Sequence, residues 1–247
     1  LIMSATEAKK DYGFVVENGK IVEIVPNEKL LGKEGVIDAR DSIVCPTFTN
    51  THTHFYETLA HGATEPNLSL KPLLEDFWWP VVENRQTLET IRISTEYSAL
   101  ESMTSGVTLC NDILEAPFAE RGKRLLTEEA VIRKAGMKAV LSLESNERIS
   151  TENGYENLEE NKNFILKMRE TGNSDIRGTI CTHTTFSCST PFLMKAAGMA
   201  RDMDEYIQIH MNEGPDEDKC CVDKYGMTTA ELYKKIGFWE GGKAWAN

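Results

Sequence analysis

Val44-Cys45-Pro46-Thr47-Phe48-Thr49-Asn50-Thr51-His52-Thr53-His54 is the stretch whose reading decides the fold. It follows the turn-forming Ala39-Arg40-Asp41-Ser42, and its first half, alternating and β-branched, predicts a short strand. Side chains at i and i+2 of a strand leave from one face about 7 Å apart, so His52 and His54 point the same way. Two imidazoles held like that can converge on one divalent metal, for which neutral ring nitrogens are good ligands. A chance His-x-His at a strand end is the competing reading, and the rest of the chain has to weigh against it.

Upstream, Tyr12-Gly13-Phe14-Val15-Val16 and Ile21-Val22-Glu23-Ile24-Val25 are β-rich runs joined through Asn18-Gly19, a strong hairpin signal. Val36-Ile37-Asp38 and Ser42-Ile43-Val44 predict further short strands, so residues 1–43 read as a small β-subdomain and 44–247 as a second domain. In the second domain the pattern alternates. A loop is expected over 66–72, with Pro80 breaking the bulky Phe77-Trp78-Trp79. Helices are expected from Thr87 to Gly106, Glu128 to Ala135, Asn157 to Glu170, Pro191 to Asp202 and Thr228 to Ile236. Strands are expected over 107–112, 138–143, 176–182 and 206–210, with a further one beginning at Ala244. Strand–helix units of this length predict a parallel α/β architecture.

Composition narrows the classes. Lys and Arg number 27 against 39 Asp and Glu, for a net charge of −12, whereas nucleic acid and anionic membranes call for a basic surface. No apolar run approaches the roughly 20 residues of a membrane span, and Leu1-Ile2-Met3-Ser4-Ala5 lacks the pattern of a signal peptide. The six cysteines show no Cys-x-x-Cys spacing. Reduced thiols in a cytoplasmic protein fit that usage.

Four of the five histidines, His52, His54, His183 and His210, sit at or just past the C-terminal ends of predicted strands. In a (β/α) barrel that rim carries the active-site groups. His61 lies in a loop and reads as a surface residue or one that only backs the site. Past His210 the chain turns, and Glu213 can swing back over the same mouth, where a metal-activated water needs a carboxylate to move its proton. The alternative is that Glu213 belongs to a solvated acidic run, Glu213 to Asp218. His183 suits a substrate contact, a metal ligand or a satisfied structural residue. Asp112 and Glu144 end their strands and could face the site. Trp78 and Trp79 could wall a pocket or fill core.

Together these residues resemble the metal-dependent amidohydrolase superfamily, in its atrazine/triazine chlorohydrolase-like aminohydrolase branch. The resemblance runs through Val16–Val22, Val36–Ala39, Asn50–His54, Ser105-Gly106-Val107-Thr108, His183-Thr184-Thr185-Phe186 and His210-Met211-Asn212-Glu213. Asn50 to Tyr56 with Trp78-Trp79 is most similar to aminohydrolases associated with selenium metabolism. The resemblance implies a TIM-like (β/α)8 barrel with a small N-terminal β-subdomain. It implies one divalent metal, zinc before iron, on His52, His54 and His210. Glu213 becomes the proton-shuttling acid, and His183 and Trp79 become substrate contacts. The implied reaction is hydrolytic deamination of an amino-bearing nitrogen heterocycle (purine, adenosine derivative or triazine) by a metal-activated water. A cyclic amidase, a dehalogenating hydrolase and a truncated, non-catalytic metal-binding remnant are the alternatives. No lysine ends the 176–182 strand, against a carbamylated-lysine dinuclear site. Pro46 to Asn50 departs from the glycine and aliphatic pair usual in relatives. Relatives also continue past Asn247 to a further catalytic histidine and a metal-ligating aspartate, so the barrel is expected to be incomplete at its C-terminus. Barrels of this type often pair, and a homo-oligomer is open.

Overall fold

A computed structural model describes residues 1–63, 68–172 and 174–246. The chain forms two compact units, Leu1–Phe48 and Thr49–Asn247. In the first, β1 (Ile2–Met3) pairs antiparallel with β2 (Ala8–Lys9), and β3 (Tyr12–Glu17) with β4 (Lys20–Pro26). Asn18 and Gly19 both take positive φ, 51° and 73°, the turn that matches the twist of paired strands.

Two expected strands are absent. Residues 36–38 lie outside any strand, and of 42–44 only Val44 bridges, to Ile2. Asp38 instead closes a local turn, its carboxylate accepting the backbone N–H of Arg40 at 3.0 Å and Nε–H at 2.9 Å. Apolar alternation alone gave the strand reading, and Ile37 stays 90% exposed.

The second unit supplies the parallel α/β order. Its strands are β5 (Phe48–Thr53), β6 (Val107–Leu114), β7 (Lys138–Leu143), β8 (Ile176–Gly178), β9 (Ile180–Thr182), β10 (Ile207–Ile209) and β11 (Ala244–Ala246). They run side by side as β5-β6-β7-β8 and β9-β10-β11, and a parallel bridge from Ser145 to Thr182 joins the sets. The single strand expected over 176–182 is therefore two. At Thr179 the chain leaves the β7 edge for β10: its N–H reaches the Leu141 carbonyl at 3.2 Å while its hydroxyl reaches the Tyr206 carbonyl at 2.7 Å. The first strand begins at Phe48 rather than Val44, because the stretch with Pro46 forms no ladder.

Between the strands lie α1 (Leu70–Leu73), a π-helical segment Leu74–Val82, α2 (Leu88–Thr104), α3 (Arg124–Ala135), α4 (Thr151–Thr171), α5 (Thr190–Asp202), α6 (Pro215–Tyr225) and α7 (Thr229–Lys235). Of the loop expected over 66–72, Pro66 and Asn67 lie outside the described residues, and the remainder enters α1. Pro80 does not break the Phe77–Trp79 run. It has no N–H to give and sits where the backbone widens to the π form.

Capping explains the helix starts. Thr87 and Thr90 exchange a capping box at α2, and Ser150 caps α4. Helix α4 begins six residues before the expected Asn157 because Gly154 lets it press on the strand-end loop. A Cβ there would lie 2.6 Å from the Asn146 carbonyl oxygen. Helix α3 starts four residues early, anchored by the fully buried Arg124. Helix α6 is absent from the sequence reading; its acidic first turn, Asp216-Glu217-Asp218, resembles a solvated loop but suits the positive end of a helix.

Apolar side chains fill the layer between strands and helices, with Ile91, Leu141, Leu143 and Phe164 in one cluster and Ile180, Phe192, Ile209 and Phe238 in another. Facing strands are also tied by polar groups: the Asn111 amide donates to Gln208 Oε1 at 2.7 Å, and the Gln208 amide to the Ser142 hydroxyl at 2.8 Å. Among the described residues no helix is long and apolar enough to cross a membrane.

Candidate metal centre

The polar residues of interest sit at or just past strand ends. His52 lies in β5 and His54 one residue past it; Glu115 follows β6, Glu144 β7, His183 β9 and His210 β10. The structure brings His52, His54 and His210 together, with one ligand nitrogen from each within 4.8 Å of the others. Ring centroids lie 4.9 Å apart for His52–His54, 5.0 Å for His52–His210 and 5.1 Å for His54–His210.

Protonation decides what this cluster can do. His54 Nδ1 stands 2.9 Å from the Ile113 carbonyl, so that nitrogen carries the hydrogen and Nε2 presents a lone pair. Nε2 faces His210 Nε2 at 3.1 Å. Burial, together with the neighbouring imidazoles His183, His54 and His52, holds His210 well below its ordinary pKa, and burial and His54 lower that of His52. Burial thus favours the uncharged form of His52 and His210, and among the described residues His52 Nδ1 and His210 Nδ1 are buried without a hydrogen-bond partner. Ring nitrogens converging at this range repel unless a proton or a metal cation lies between them. The donor set therefore fits a divalent metal, and an all-nitrogen trio suits zinc or iron.

Glu144, 4% exposed, lies between two histidines, 3.7 Å from His210 Nδ1 and 3.9 Å from His183 Nδ1. Carboxylates in this position orient metal-binding imidazoles. His183 is buried, with Nδ1 2.6 Å from the Ser187 hydroxyl and Nε2 3.8 Å from Glu213. Burial disfavours its charge, but Glu144 and Glu213 outweigh burial and push it up to about 9. Burial likewise opposes ionisation of Glu213, yet the His183 hydrogen bond and charge hold it below the usual carboxylate range.

Glu213 reaches this position through Glu217, which is fully buried. One Glu217 oxygen accepts from the Thr185 N–H at 2.8 Å and the other from the Asn212 N–H at 2.5 Å. Asn212 is thereby held at φ 57°, and the chain turns back towards His183. The acidic stretch 213–218 is thus a helix start with one buried anchor, not a uniformly solvated run.

The Trp79 ring stands 6.3 Å from His183, edge to face, with the Arg148 guanidinium 5.2 Å over it. Trp78 donates from Nε1 to Glu57 at 2.7 Å. His61 is exposed, apart from the cluster. The sequence reading missed a buried set beside the site. Arg148 donates to Glu83 at 2.8 Å, Glu115 at 3.0 Å and Asn84 at 2.8 Å, and the Tyr56 hydroxyl donates to Glu83 at 3.1 Å. Burial pushes Glu115 up to about 7 against the pull of Arg148. Tyr56, Glu83 and Asn84 follow β5, Glu115 follows β6 and Arg148 follows β7, with no common spacing, so only the fold unites them.

The model of the family described as the amidohydrolase family matches residues 43–246. A 5′-deoxyadenosine deaminase of Methanocaldococcus jannaschii is 29% identical over 237 residues, covering 95% of this chain and 54% of the relative. An adenosine deaminase from Xanthomonas campestris with bound zinc superposes with a TM-score of 0.78 at 18% identity, over 99% of this chain and 56% of its own. An atrazine chlorohydrolase from Arthrobacter aurescens complexed with zinc gives 0.69 at 17% identity, over 96% and 56%. At such identities the structural likeness speaks for the fold alone. The chain spans about half the length of the curated relatives it matches.

Proposed function

The chain belongs to the amidohydrolase family, and on that premise we propose that it carries the metal-binding half-site of an aminohydrolase that removes ammonia from an amino-bearing nitrogen heterocycle of the adenosine type. One observation carries the reading: three imidazoles converge, with His54 Nε2 turned inward by the bond from Nδ1 to the Ile113 carbonyl. His52, His54 and His210 would hold a divalent metal, zinc first and iron second. When bound, that metal supplies the charge that acidifies a water and polarises the ring carbon under attack.

The residues around it divide the remaining work. Glu213, held ionised beside His183, takes the proton of the attacking water and hands it to the amino nitrogen, which departs as ammonia. Water and an aminated ring carbon thus become a ring carbonyl and ammonia. His183 turns Nε2 towards Glu213 and carries a proton to share with a ring nitrogen. Trp79, beside His183, offers an aromatic wall to a planar base. The names of relatives support an adenosine derivative such as 5′-deoxyadenosine. The six cysteines are free, which supports a reducing compartment, the cytoplasm.

Ammonia release from 5′-deoxyadenosine by the zinc-loaded full-length protein tests the reading. His52→Ala and Glu213→Gln are each expected to lower the rate at least about 100-fold with folding intact. An unchanged rate in either variant would remove the role assigned to that residue.

A further inference from the structure

Asp112 on β6 and Glu128 on α3 are both at 0% exposure, and neither belongs to the centre itself. Asp112 Oδ1 accepts the backbone N–H of Phe55 at 2.7 Å. One residue along β6, the Ile113 carbonyl accepts from His54 Nδ1 at 2.9 Å. Consecutive residues of β6 therefore hold the two consecutive residues that follow β5, and His54 is one of them. Three buried carboxyl oxygens are left over, Asp112 Oδ2 and Glu128 Oε1 and Oε2, and no other group among the described residues donates to them.

Two facing carboxyls without solvent do not both ionise, because like charges in a low dielectric force one to keep its proton. Asp112 already accepts an N–H, which favours its anion, whereas among the described residues the charge facing Glu128 is that of Asp112, its side-chain hydrogen-bond partner. The proton belongs on Glu128, and its O–H is the donor that Asp112 Oδ2 otherwise lacks.

We infer that Glu128 is a positioning residue for the metal centre: as a neutral acid it donates to Asp112, and Asp112 in turn fixes the His54–Phe55 turn that aims His54 Nε2 at His210. The inference rests on the metal reading of His52, His54 and His210. A side chain that merely filled space behind β6 would be replaceable by a hydrocarbon of similar size. A donor would be replaceable only by another donor.

The test is zinc affinity of the metal-free full-length protein, by competition with a chromophoric chelator, alongside urea unfolding of the same metal-free samples. Glu128→Leu is expected to weaken zinc binding about tenfold, while Glu128→Gln, whose amide still donates, stays within about twofold of the parent. Glu128→Met, a more adaptable chain, carries the same expectation if Glu128→Leu does not fold. Parental affinity in Glu128→Leu, whatever its stability, overturns the inference, as does an equal loss in Glu128→Gln. Failure of both apolar variants to fold also overturns it, by assigning Glu128 to the fold rather than the site. A parent that takes up no zinc overturns the metal reading itself, a result the other outcomes do not produce.

Discussion

Two buried polar clusters in the same barrel are built in opposite ways. Each guanidinium nitrogen of Arg124 has an acceptor: Nε and Nη2 donate to Glu160 at 3.1 and 2.6 Å, Nη2 also to Asn157 at 3.0 Å, and Nη1 to the Ala116 carbonyl at 3.0 Å. Around His52, His54 and His210, two buried Nδ1 atoms lack partners among the described residues, and the Nε2 atoms of His54 and His210 face each other at 3.1 Å, where only one of them can carry a hydrogen. Burying unsatisfied polar atoms costs about 1–3 kcal/mol each, so the second arrangement is retained for something other than the stability of the bare chain. A cluster whose guanidinium is fully paired, with only Glu160 Oε1 left over, serves the fold, and one whose ring nitrogens converge on each other suits a ligand.

The sharpest break in that comparison is Arg124→Ala. It leaves Glu160 as an uncompensated buried charge and is expected to lower unfolding free energy by about 3–5 kcal/mol, read from urea denaturation of the metal-free protein. His210→Ala should do the reverse. Metal affinity is expected to fall at least about 100-fold, or about 2.7 kcal/mol, while the metal-free variant unfolds at the same or higher urea. A large stability loss in His210→Ala would erase the distinction between the clusters.

The Glu83–Arg148–Glu115 set lies between these extremes, being paired but crowded with acid. Glu115 is raised from 4.5 to about 7, so the folded state binds its proton more tightly than the unfolded state does. The stability this contributes is fully present below about pH 4.5 and is lost as pH rises through about 7. A decrease on the order of 1–2 kcal/mol is expected between pH 5 and 8, and Glu115→Gln should flatten it. Asp112, raised to about 6 by burial, adds a slope of the same sign that survives this substitution. The smallest effect is at a cap: Ser150→Ala removes the acceptor for the Asn153 N–H and is expected to cost about 1 kcal/mol with metal affinity unchanged.

What the sequence disclosed follows the same division. Histidines at strand ends and the Asn-Gly hairpin are local signals, carried by residue type and short spacing, and the histidines lead directly to the candidate metal centre. The opening turns of α4 were hidden because Asn153 and Gly154 are poor helix formers, and the contact that recruits them, at Asn146, is made only in the folded chain. Helix α6 was hidden because acidic residues that stabilise a helix start look, in isolation, like solvated charge. Arg148 and its partners Glu83 and Glu115 share no motif, since each comes from a different loop. Conversely, Val36-Ile37-Asp38 carries a strand pattern but pairs with no strand among the described residues.

Metal content tests the central claim most directly. Elemental analysis of the purified protein is compared with that of its His52→Ala/His54→Ala variant. Close to one zinc or iron per chain in the parent, and none in the variant, is the predicted result. Metal retained by the variant, or absent from the parent after zinc is supplied, would contradict the assignment of these histidines.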